Sequence, residues 1–262
     1  MKFFRKIPYA LLIFLTPFSL VAQEVICDGN RYLNAVFQDV DSTKDVQYGQ
    51  ASTLAGKTQN LLLDIYEPRG DEAEARPLVI MAHGGSFIGG DRSQTAEFCV
   101  DFARRGYVVA NIEYRLIDAL VTDSTGMFEG VIMAINDMRA AVRFFKEDAD
   151  NLNKYRIDPE SVFVAGVSAG AIMASHIGFM DPLDEIPEYI QTIMEKHGGF
   201  EGNSSNNTQY ASNVQGTLNY SGGLIRISMV DGDDAPVYSA HDDQDPIVPC
   251  SYSTSKAIPF PV

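Results

Sequence analysis

Short apolar runs that do not alternate with polar residues recur along this chain, separated by stretches whose apolar positions repeat every three or four residues. The runs at 78–82, 107–114 and 161–165 read as strands buried on both faces of a sheet, since a half-covered strand would alternate. A further strand at 61–66 is stopped by Pro68-Arg69-Gly70, and the weak alternation over 35–50 suits edge strands. The last strands are predicted at 214–220 and 236–240. Helices are predicted at 93–105, closed by Gly106, and at 128–148, 169–180 and 183–196. In the 128–148 helix Val131, Ala134, Ile135, Met138, Ala141, Val142 and Phe145 keep helical spacing. Strands alternating with helices predict an α/β fold with a mostly parallel sheet and helices on both faces. No repeat or linker divides the 262 residues, so one domain is expected.

The amino terminus departs from this pattern. Lys2, Arg5 and Lys6 precede an apolar run over 9–22, interrupted by Pro17 and ended by Ala22, which is the layout of a signal peptide at 1–22. The run is short for a membrane span, so the expectation is a secreted or periplasmic protein without a stable membrane anchor. Cleavage removes three cations and takes the formal charge from −15 to −15 − 3 = −18. A chain this acidic is a poor partner for nucleic acid or anionic membranes. Export permits disulfides, but Cys27, Cys99 and Cys250 are odd in number. Cys99, beside Phe98 and Phe102 in a predicted helix, suits a buried thiol.

Chemistry concentrates in three segments. The pentad Gly166-Val167-Ser168-Ala169-Gly170 lies between a predicted strand and a predicted helix. That sharp turn lifts a serine hydroxyl out of the sheet, and its glycines allow the close backbone approach it needs. Ser168 is therefore the candidate nucleophile, and the helix start behind it favours a developing oxyanion. His83-Gly84-Gly85-Ser86-Phe87 ends the strand at 78–82, where the amides of Gly85, Ser86 and Ala169 are candidate oxyanion donors and His83 organises the loop. The third segment, 241–249, follows the strand at 236–240 and offers Asp242, Asp243 or Asp245 as an acid. The aspartates at 231, 233, 234, 242, 243 and 245 lack the closing glutamate of an EF-hand loop, and the cysteines lack zinc spacing. No metal or cofactor is expected.

On these residues the chain resembles the α/β-hydrolase superfamily, in its secreted bacterial carboxylesterase branch close to feruloyl and acetyl esterases. The matching pieces are His83 to Phe87, Tyr114-Arg115-Leu116, Arg139 to Phe144, Gly166 to Gly170, and the D-x-x-V-P of Asp245 to Pro249. The resemblance implies a Ser-Asp-His triad with Asp245 as its acid, acting on a small-molecule or polysaccharide ester. It also implies a histidine well beyond the acid loop. Only 13 residues follow Pro249 and none is histidine, while His176, His197 and His241 precede or flank the acid. The expectation is thus a single hydrolase domain at 24–262 that lacks its C-terminal strand, helix and base. A peptidase of the same fold, or a binding protein on a hydrolase scaffold, are the alternatives.

Overall fold

The computed structural model describes residues 29–182 and 184–251; the expected signal peptide, Cys27 and the tail from 252 lie outside the described residues. Seven strands form one sheet: β1 (Val40–Ser52), β2 (Thr58–Pro68), β3 (Arg76–Ala82), β4 (Val108–Ile112), β5 (Ile157–Val167), β6 (Gly216–Tyr220) and β7 (Val237–Ala240). Their order is β1-β2-β4-β3-β5-β6-β7. The pairs β1–β2 and β2–β4 are antiparallel, and every pair from β4 to β7 is parallel. The helices are α1 (Ala96–Arg104), α2 (Ser124–Asp150), α3 (Ala169–Phe179) and α4 (Glu188–Lys196).

The continuous apolar runs have their cause in the two faces of this sheet. Along β3, Leu78, Ile80 and Ala82 join one core with residues of α2, α3 and α4, while Val79 and Met81 join a second core with Cys99 and Ala103 of α1. No position of β3 reaches solvent, so nothing along it needs to be polar. Two expected helices begin later than predicted. The stretch from 93 opens as a 3-10 turn over Arg92–Thr95 capped by the Asp91 side chain, and α4 starts only after Pro187, which has no amide to give a preceding turn. Among the described residues, no helix is long and apolar enough to cross a membrane.

A segment without helix or strand, 197–215, is fastened to the domain by arginines. Arg115, just beyond β4, meets Asp137 of α2 in a buried two-pronged pair, Nη2 to Oδ1 at 2.7 Å and Nε to Oδ2 at 3.0 Å. Ser204 donates to the same carboxylate at 2.6 Å and accepts from Arg115 at 2.8 Å. Arg139 packs its guanidinium 3.8 Å from the centre of the Phe200 ring and donates to Ser212, and Arg143 pairs with Glu201 at 2.8 Å. Each guanidinium presents several donors in a fixed fork, which lets one side chain replace the ladder bonds this segment lacks.

Candidate active site

Ser168 sits between the last residue of β5 and the first of α3 with φ 53° and ψ −113°, outside the regions an L-residue ordinarily occupies. The turn is held by its neighbours. The Ser168 amide donates to the Tyr220 carbonyl at 2.8 Å, and its own carbonyl accepts the Ile172 amide at 2.9 Å. The glycines on either side are required by contact. A Cβ on Gly166 would stand 2.1 Å from the Gly170 carbonyl carbon, and one on Gly170 would stand 2.3 Å from the Ala82 oxygen. Strain at a non-glycine residue persists where the surroundings over-determine it, and such sites cluster where chemistry occurs.

The loop after β3 arrives at the same point. A Cβ on Gly84 would lie 3.4 Å from the Ser168 Cβ, so the two segments are in van der Waals reach. Gly85, Ser86 and Phe87 all have positive φ, at 121°, 54° and 62°. Among the described residues the amides of Gly85 and Ser86 have no acceptor. Ala169 is the first residue of α3, so its amide lies ahead of the helix's own ladder. The amides of Gly85, Ser86 and Ala169 thus belong to the two segments that meet at Ser168.

His83 is wholly buried beneath this loop and shapes it. Its Nδ1–H donates to the Gly84 carbonyl at 2.7 Å, its ring stacks on Tyr114 at 4.4 Å, and its own carbonyl accepts the Tyr114 hydroxyl at 3.0 Å. Nε2 faces Glu113 at 3.4 Å. Burial pushes the Glu113 carboxyl up, but the nearby His83 ring and the hydrogen bonds from Arg92 outweigh it and hold the group below its ordinary range. The loop therefore rests on an anchored anion. Glu113 was not singled out in the sequence, where nothing but its place beside Tyr114-Arg115 marks it.

Asp245 lies elsewhere in the site. Its Oδ1 accepts the amides of Ile247 at 2.8 Å and Val248 at 3.0 Å, and Oδ2 faces His241 Nε2 at 3.6 Å. The backbone bond from Ile247, more than the opposing burial, lowers its pKa, with Val248 and His241 adding to the effect. His241 in turn donates to the Val248 carbonyl at 2.7 Å. It directly follows β7, which is separated from β5 by β6, so the acid loop is offset from Ser168 by two strand spacings, about 10 Å. The aspartates cluster differently from their sequence order: Asp231 and Asp234 converge with Asp181 to within 4.8 Å at the surface, apart from 242–245.

The chain's four histidines are all among the described residues, and each is engaged away from Ser168. His176 is buried in α3, with Nδ1–H donating to Ile172 at 2.7 Å and Nε2 accepting the Ile225 amide at 3.3 Å. Burial, partly offset by the Ile172 bond, lowers its pKa to about 4, so it is neutral. His197 pairs with Glu129 at 2.7 Å, beside Lys196. The structure brings Ser168 together with the 83–86 loop and Ala169, and pairs Asp245 with His241.

A family model described as BD-FAE matches residues 63–222, from β2 through the turn after β6. The chain belongs to the BD-FAE family. Within this family match lie the 83–87 loop and the pentad; the 241–249 loop is outside it. The chain is 30% identical over 123 residues to Esterase-5B of Drosophila persimilis, covering 45% of this chain and 21% of that protein. It is 25% identical over 181 residues to Esterase E4 of Myzus persicae, covering 65% of this chain and 32% of that protein. The matches thus span about a fifth to a third of those curated relatives. Among solved structures, a truncated form of a carbohydrate esterase from gut microbiota superposes with TM-score 0.60 at 19% identity, covering 82% of this chain and 81% of that one. Native esterase 2 of Thermogutta terrifontis superposes with TM-score 0.56 at 20% identity, covering 78% and 72%. At these identities the likeness establishes the fold, which is that of the α/β-hydrolases.

Proposed function

We propose that this BD-FAE chain is a secreted carboxylic ester hydrolase in which Ser168 attacks the ester carbonyl, the amides of Gly85, Ser86 and Ala169 hold the oxyanion, and Asp245 is the acid that orients the base. The observation that carries the reading is the backbone of Ser168, held at φ 53° against the Gly84 loop at the head of α3. Such a turn presents the hydroxyl where substrate approaches and three donors await it. The esterase names of its curated relatives support the reaction class. A solved neighbour named as a carbohydrate esterase supports an acyl group carried on a polysaccharide. The basic and apolar layout of 1–22 supports export.

None of the chain's four histidines serves as the base in this reading, because each is already hydrogen-bonded away from Ser168. Losing the base of a Ser-His-Asp set lowers turnover on the order of a million-fold. Incubation with p-nitrophenyl acetate, followed by intact mass measurement, tests both statements. The expected result is slow accumulation of one acetyl group on Ser168, with turnover far below that of a complete triad, and no adduct in Ser168→Ala. Absence of any adduct on Ser168 would overturn the esterase reading and favour a binding protein. Rapid turnover that Ser168→Ala abolishes would overturn the statement about the histidines.

A further inference from the structure

Along the β1 edge of the sheet, where the last turns of α2 meet the 197–215 segment, lies an open groove of about 640 Å³, a size that suits a ligand. It stands four strands from β5, about 19 Å at the usual strand spacing, and contains no residue of the two segments that meet at Ser168. Its two banks are fixed to each other by backbone. A Cβ on Gly49 would stand 2.3 Å from the Ser204 oxygen, which accepts the Gln50 amide at 3.0 Å.

The floor of the groove is pinned and its rim is free. Asn207 is buried, with Oδ1 accepting from Ser205 at 2.7 Å and from Arg143 at 3.4 Å, and Nδ2 donating to Glu147 Oε2 at 2.8 Å. The Glu147 carboxylate is thereby set in place with its other oxygen to spare. On the rim Gln47 and Gln50 donate to the Gly49 carbonyl at 3.2 Å and to Asn60 at 2.6 Å, and among the described residues their amide oxygens have no donor. Asn206 and Gln209 are exposed, and among the described residues their side chains have no hydrogen-bond partner. Phe144, packed against Phe145 and Tyr155, adds an apolar patch.

This lining selects by exclusion. Among the described residues no lysine, arginine or histidine borders the groove, and the chain carries −15, so an anion finds no partner and is repelled. One carboxylate is too few ligands to hold a metal ion. A hydrocarbon would bury polar side chains and leave them unpaired. A neutral ligand dense in hydroxyls meets none of these objections. Each side-chain amide offers it both donors and an acceptor, Glu147 offers acceptors, and the apolar face of a sugar ring matches Phe144.

We propose that this groove binds neutral sugar residues of a polysaccharide, as a contact separate from Ser168. Electrophoresis of the 262-residue chain through native gels containing deacetylated glucomannan, arabinoxylan or hydroxyethylcellulose tests it. At least one is expected to retard the wild type. Replacing both free amides, Asn206→Ala with Gln209→Ala, is expected to weaken that binding about 25-fold, at about fivefold per hydrogen bond lost. Both residues are exposed, so the double variant is expected to melt with the wild type. Ser168→Ala is expected to be retarded as the wild type is. No retardation by any of the three, retardation that the double variant keeps, or retardation lost in Ser168→Ala would overturn the assignment. So would gelatin slowing the chain in their place, which would make the ligand a polypeptide. Acetylation of Ser168 by p-nitrophenyl acetate, expected to be unchanged in the double variant, reports separately on the esterase reading.

Discussion

Replacing Gly170 by alanine adds a single methyl group where α3 meets β3. That methyl carbon would stand 2.3 Å from the Ala82 oxygen, 2.7 Å from the Ala82 carbonyl carbon and 2.8 Å from the His83 oxygen. Ordinary contact begins near 3.4 Å, so the start of α3 must withdraw by 3.4 − 2.3 = 1.1 Å. All three obstructing atoms are backbone, in or next to a strand hydrogen-bonded on both sides to β4 and β5, and none can rotate aside. Overpacking of this kind costs about 1–3 kcal/mol. The better helix propensity of alanine returns at most about 1 kcal/mol, leaving a net loss of about 2 kcal/mol. For a domain of this size that lowers Tm by about 4–8 °C. The same withdrawal carries Ser168 and Ala169 away from the Gly84 loop, and a misplacement near 1 Å is worth on the order of a hundredfold in rate. The reference is Gly89→Ala, where an added Cβ meets nothing within 4 Å, and which is expected to stay within about 0.5 kcal/mol of wild type. Urea midpoints and thermal melts of the two variants decide the matter. If Gly170→Ala melts with Gly89→Ala, the contact between helix and strand does not constrain the elbow and the reasoning fails.

Two further outcomes follow from the buried polar groups. Asp137→Ala strands the Arg115 guanidinium, which is buried and shared with the Ser52 and Met133 carbonyls, and is expected to cost about 3–5 kcal/mol by urea unfolding; a loss under 1 kcal/mol would show that the pair does not hold the 197–215 segment. His176 is neutral in the fold with a pKa of about 4 against an ordinary 6.5, so its contribution is fully present above pH 6.5 and is lost as pH falls toward about 4. Wild type is therefore expected to lose about 2–3 kcal/mol more than His176→Gln between pH 7.5 and pH 4.5. Parallel stability curves for the two proteins would show that protonation of His176 carries no such cost.

What the sequence determined by itself was local. The apolar runs at 78–82 and 161–165 could only be strands covered twice, and β3 and β5 lie at the centre of the sheet. The spacing from Val131 to Phe145 predicted a helix, and α2 contains it. Gly166 and Gly170 announced a close approach before any partner was known, because few other reasons require two glycines between a strand and a helix. The antiparallel side of the sheet was not legible, since the pattern of β2 is the same whichever way its neighbours run.

Where a side chain spends its hydrogen bonds was decided only by the tertiary structure. Asp245 follows its strand as expected, yet its oxygens are taken by the amides two and three residues on and by His241. His83 and Glu113 meet across 30 residues, Arg115 and Ser204 across 89, and the walls of the apolar cavity between α2, α3 and α4 come from residues between 87 and 229. Periodicity reports which face of one element is buried and says nothing about which distant element buries it. Ser168 could be found by reading along the chain; the loop that answers it arrives only once β3 and β5 lie side by side.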